Sequence, residues 1–189
     1  MKMPVLIKNV VMVFVAGLAY LPASKSWAEG LEPAIQAKID AQIKVIATWA
    51  AEPVVVKAVQ AQNARTPAEY ASMTQEKWKE LKVLDPLVRA FTKNEVAQFL
   101  KGKKTEFVSE AFLSDAAGLK VAFLSKTSNW SHKGKAKHDV PMTGKTWQGP
   151  VELDESTGVQ QVQVAVPVKD GDKVIGSLVV GLSLSKLSN

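Results

Sequence analysis

The spacing of apolar residues changes period once along this chain. Leu31, Ile35, Ile39, Ile43, Ile46 and Ala50 recur at steps of three or four, which puts them on one stripe of a helix. Pro53 interrupts or kinks that helix, and residues 54–63 carry it on. Thr66-Pro67-Ala68-Glu69 reads as a helix start, with a capping hydroxyl, proline at the first helical position and an acid at the third. Thr74 begins a further turn that carries Trp78 and Leu81, and Pro86 begins one with Leu87, Val88 and Phe91. Residues 94–100 predict a last short helix closed by Gly102.

After that the period becomes two. Residues 107–114 and 119–125 predict a hairpin around Asp115-Ala116-Ala117-Gly118. Residues 147–153 and 159–168 predict two more strands. Asp170-Gly171 between apolar runs turns the chain into a closing strand over 174–184. Residues 126–146 are polar, rich in Gly, Lys and His, and are expected as a long loop. A loop of that length inside a domain is usually functional or partly ordered. The order predicts an α+β fold, with a helical part over 29–105 and a mostly antiparallel sheet over 106–189.

The first residues follow a different pattern. Lys2 and Lys8 flank no acid, residues 10–21 are almost wholly apolar, Pro22 follows, and Ser26-Trp27-Ala28 is a small-x-small site. This is the secretory signal pattern, so 1–28 is expected to be cleaved and 29–189 to act in the periplasm. The apolar run falls short of the roughly 20 residues that a spanning helix needs. The chain has no Cys, which excludes disulfide and thiol chemistry. Removing 1–28, with Lys2, Lys8 and Lys25 and no acid, lowers the formal charge from +6 to +3. So mild an excess does not predict a nucleic-acid partner.

Several segments resemble the single Cache domain, the PAS-like extracytoplasmic sensor module also called PDC. They are Ile46-Ala47-Thr48-Trp49-Ala50-Ala51-Glu52-Pro53 with Gln62-Asn63, and Glu110-Ala111-Phe112-Leu113-Ser114-Asp115 with Gly118. Asp154-Glu155-Ser156-Thr157, the run 161–168 and Ile175-Gly176-Ser177-Leu178-Val179-Val180-Gly181 complete the set. The resemblance implies a long N-terminal helix packed on one face of a five- or six-stranded sheet. A small-molecule pocket would lie on the other face, under the loop that follows the hairpin. It also implies a sensor that binds a metabolite and passes the signal to an output, with this chain expected to act as a free binding protein or through a partner such as a membrane receptor. Many relatives carry an acidic, aromatic run after the hairpin. This chain has Thr127-Ser128-Asn129-Trp130-Ser131-His132-Lys133-Gly134-Lys135, with the aromatic kept and the acids replaced.

The loop is the candidate site. Trp130, His132, Lys135, Lys137 and His138 offer cationic and imidazole donors beside an aromatic wall, a mix suited to a small anion. Trp147 follows the loop directly. Gln161 and Gln163 share one face of a long strand, and Val162, Val164 and Val166 the other. No metal site is expected, because the two histidines lack a converging spacing and lysines surround them. No cofactor is expected, and no catalytic residue, since no motif orients a nucleophile and a base. The alternative is an interaction module that docks on a receptor or forms a homodimer through the stripe Leu31 to Ala50.

Overall fold

The computed structural model describes residues 31–153 and 158–188. The signal peptide expected over 1–28 and the Asp154-Glu155-Ser156-Thr157 segment lie outside these residues. Helix α1 (Pro33–Ala50) and helix α2 (Pro53–Ala64) each begin on a proline, whose fixed φ suits a first helical turn. Short helices follow: α3 (Ala68–Ala71), α4 (Gln75–Glu80), α5 (Pro86–Lys93) and α6 (Glu95–Lys103). Thr74, Asp85 and Asn94 cap α4, α5 and α6 by accepting from backbone N–H groups of Lys77, Leu87 and Ala97.

Five antiparallel strands make one sheet in the order β2-β1-β5-β4-β3. They are β1 (Val108–Asp115), β2 (Lys120–Phe123), β3 (Trp147–Leu153), β4 (Gln160–Asp170) and β5 (Lys173–Ser183). Two prolines fit this topology. Pro150 lies on edge strand β3. Pro167 lies on β4 beyond Ala165, the last residue that β3 pairs, where β4 is itself an edge.

The sheet is covered on both faces. Val162, Val164, Val166 and Val168 of β4, with Leu178, Val180 and Leu182 of β5, pack on Ile39, Ile46, Val55 and Val59 of α1 and α2. The stripe expected to be available for helix pairing is therefore spent on this chain's own sheet. Burial of that stripe, at roughly 25 cal/mol per Å² of apolar surface, holds α1 where it is.

The other face carries Phe112, Phe123, Ala165 and Val179, packed against Trp78, Val88 and Phe91 of α4 and α5 and against Trp130. The helical first half thus divides between the two faces instead of covering one. Helix α7 (Ala136–Met142) completes this layer against β3, β4 and β5.

The segment 126–146, expected as a long loop, is partly ordered and contains helix α7. Three local expectations are corrected. Thr66 does not cap α3; its hydroxyl donates to the Gln62 carbonyl, and the residue at the cap is Pro67. Gly102 does not close α6 but lies inside it, and Lys104 is its C-cap. The closing strand ends at Ser183, because residues Leu184–Leu187 turn into a final helix, α8.

Candidate functional site

On the α7 side, three polar residues stand next to one another across strands β2, β1 and β5. Ser114 pairs with Lys120 and with Ser177, so all three side chains share a face. None has measurable exposure. Two histidines roof them. His138 Nδ1 meets the Ser177 hydroxyl at 2.7 Å, and His132 Nδ1 contacts Lys120 Nζ. The His132 ring stacks on Phe112 at 4.6 Å, and Lys120 Nζ lies 4.7 Å from the centre of the same ring. Ser114 Oγ has no hydrogen-bond partner.

The turn between β1 and β2 positions His132. Gly118 has φ +78°, and its carbonyl accepts from His132 N at 2.9 Å. A Cβ on Gly118 would stand 2.5 Å from Lys133 N, so only glycine allows the loop this close. Asp115 stabilises the turn from its first position, its carboxylate accepting from Ala117 N and Leu119 N at 2.9 Å each.

The electrostatics of this group are dominated by burial. The Lys120 ammonium is held well below its ordinary pKa, first by loss of solvent and then by the Lys137 charge; Glu110 and Asp115 oppose this. His132 is lowered to about 2 by burial and by Lys120. His138 is lowered by burial in the first place. Both imidazoles are therefore neutral at physiological pH. Where the Lys120 amine donates to Nδ1 of His132, the imidazole carries its proton on Nε2.

A second polar group adjoins the first. Gln161 and Gln163 both donate to Glu110 Oε1, the former at 2.8 Å, and Ser109 donates to Gln161 Oε1. Lys137 donates to Gln163 Oε1. Gly181 makes room for this network, since a Cβ there would stand 2.3 Å from Gln161 Oε1.

The expected site residues are thus brought together in part. His132, Lys137, His138, Gln161 and Gln163 meet over the α7 face, four of them buried and Lys137 half-buried. Trp130 is buried in an aromatic cluster, 5.0 Å from Trp78, 5.6 Å from Tyr70 and 5.8 Å from Phe91 between ring centres. Its Nε1 has no partner. Trp147 is half-buried at the border of that cluster. Lys135 is exposed at the start of α7.

Sequence reasoning missed Lys120, Ser114, Ser177 and Glu110 as site residues. The signal for Lys120 was a lone lysine within an apolar strand. Two surface clefts, one beside Met73, Lys77 and Leu84 and one beside Pro53, Lys57 and Asn94, contain none of these groups. Among the described residues no helix is long and apolar enough to cross a membrane, and no three acids or histidines gather to hold a metal.

The sequence matches no protein-family model and no curated protein. Solved structures similar to it include the sensor domain of the Vibrio cholerae histidine kinase DctB, at 17% identity and TM-score 0.48. That match covers 81% of this chain and 53% of the other. The Escherichia coli DcuS sensor domain matches at 15% identity and TM-score 0.48, covering 83% of this chain and 96% of that one. The ligand-binding domain of the Pseudomonas aeruginosa chemoreceptor PctC, solved with GABA, matches at 12% identity and TM-score 0.44, covering 82% and 57%. This chain spans only about half the length of the first and third of these domains. At such identities the likeness is one of fold and does not extend to ligands. The five-stranded antiparallel sheet with a helical layer on each face is the α+β architecture that the sequence predicts.

Proposed function

We propose that this module is a sensor-type protein that binds a small anion, without converting it, on the sheet face beneath α7. Lys120 carries the reading. Its amine is fully buried, its hydrogen bond goes to an imidazole nitrogen, and among the described residues no carboxylate pairs with it. An ammonium desolvated without a counter-charge costs several kcal/mol, roughly what an entering carboxylate would offset. The unpartnered Ser114 hydroxyl beside it is a ready second donor. Lys137 would lend further positive charge, and Trp130, Trp147 and the faces of Phe112 and Val179 would exclude water. The amides of Gln161 and Gln163 hold the Glu110 carboxylate, so an acid near the site is already engaged. The expected leader would deliver the module to the periplasm, where a membrane receptor is the natural recipient of its signal.

Thermal-shift screening against organic acids, amino acids and amines tests the reading. Carboxylates are expected to raise the melting temperature, and Lys120→Met to abolish the rise. Stabilisation by no compound, or by amines alone, would sink it.

A further inference from the structure

We infer that the site takes up a proton together with its anion, so that affinity for a carboxylate rises as pH falls. The inference rests on the anion-binding reading above and adds its regulation. Its basis is the contact between Lys120 Nζ and His132 Nδ1 in a space without solvent. One nitrogen must accept while the other donates. The pair therefore holds at most the single extra proton of an ammonium, and without a counter-charge it sheds even that one readily.

Among the described residues no carboxylate forms an ion pair with Lys120; Glu110 and Asp115 support its charge only from a distance. On β1, Glu110 is bound by two glutamine amides, and Asp115 by Gln62 Nε2 and two turn N–H groups. On the loop and α7, Lys135, Lys137 and the neutral His138 contribute either positive charge or none. Asp139, the one acid of α7, accepts from the Gly134 N–H at 3.1 Å and acts on His138, and is not among the charges that act on Lys120. The residues of β4 and β5 that share this face, Gln161, Gln163 and Ser177, do not titrate. The charge on Lys120 is thus weakly supported in the free protein and strongly supported once a carboxylate oxygen reaches it. Both oxygens and nitrogens balance simply: the amine gains a proton from solvent as R–COO⁻ binds, giving R–COO⁻ beside R–NH₃⁺. Burial lowers the amine pKa in the free state, and the bound anion raises it, so uptake occurs between the two values.

Nuclear magnetic resonance of protein carrying labelled lysine side chains tests this, with Lys120 assigned from Lys120→Met and acetate and inorganic phosphate as probes. In the free protein the Lys120 signal is expected to be that of a neutral amine at pH 8, while the surface lysines remain charged. Adding a probe that binds is expected to return it to the ammonium form. The affinity of that probe should then fall nearly tenfold for each pH unit above the free amine's midpoint. A Lys120 already charged at pH 8, or one whose titration a bound probe leaves in place, overturns the inference and leaves anion binding standing. A neutral Lys120 that neither probe perturbs at any pH overturns the inference and the anion reading together.

Discussion

Lys120 and His132 are a costly pair to bury, and that cost has a pH signature. An unfolded His132 titrates near 6.5, whereas the folded residue resists protonation down to about 2. Below pH 6.5 the unfolded chain binds a proton that the folded one does not, so stability is lost as pH falls. The loss approaches about 1.4 kcal/mol per pH unit for one such histidine. Lys120, depressed in the same direction, tilts the balance the same way. Chemical denaturation at pH 7.5 and pH 5 is therefore expected to find the protein less stable at the lower pH, and His132→Gln is expected to flatten the dependence. A protein equally stable at both values would mean that His132 is solvated. At this scale the sequence was only partly readable. His132 and His138 stood out by their chemistry, but Lys120 did not, because a lysine on a strand is ordinarily solvent-facing and only the pairing of β2 with β1 puts it inside.

Helix ends are where local sequence decided most in this fold, and their caps differ in reach. Thr74 accepts from Lys77 N and also bonds the Glu76 side chain, both within its own first turn. Asn94 accepts from Ala97 N and also donates to the Val121 carbonyl at 2.8 Å, which ties α6 to β2. Thr74→Ala is expected to cost about 1 kcal/mol, the ordinary value of a cap. Asn94→Ala should cost about 2 kcal/mol, since it also strands a partly buried carbonyl. Equal effects in urea denaturation would refute the second bond. The strand β3 was legible to the residue from its flanking turn signals, and so was the two-sided character of β4 from its valine and glutamine alternation. Helix α7 was not. Its Lys, His and Asp composition has no apolar stripe, and a proline sits at position 141, so its helicity comes from packing His138 and Pro141 on the sheet.

The described residues form a sheet with a core on each side, and the two cores differ in kind. The α1–α2 side is mainly aliphatic, with valine, isoleucine and leucine around Trp49. The α7 side is mixed, an aromatic cluster around Trp78, Phe91 and Trp130 beside the buried polar groups of Lys120 and Glu110. Only the first supplies the dense apolar contact that resists local opening, so amide exchange should be slowest in β4 and β5 and markedly faster in α7. Exchange of α7 as slow as that of β5 would contradict this, because it would require the roof to open only with the entire fold. The division of the helical half between two faces was invisible in the sequence. Periodicity tells which side of a helix is apolar, not which side of a sheet it will find.

One feature of β2 joins these two layers. Lys120 sends its amine toward His132 while its own carbonyl accepts from Gln62 Nε2 at 3.1 Å, and Gln62 belongs to α2 on the opposite face. The same glutamine holds Asp115 at 2.7 Å, and neighbouring Asn63 clasps Ala116 N and the Ile175 carbonyl. The hairpin at the edge of the sheet is therefore held to α2 at Lys120, Asp115 and Ala116 together. On the proposed reading, a ligand at the Lys120 side chain would act on the same strand backbone that Gln62 of α2 holds from the opposite face.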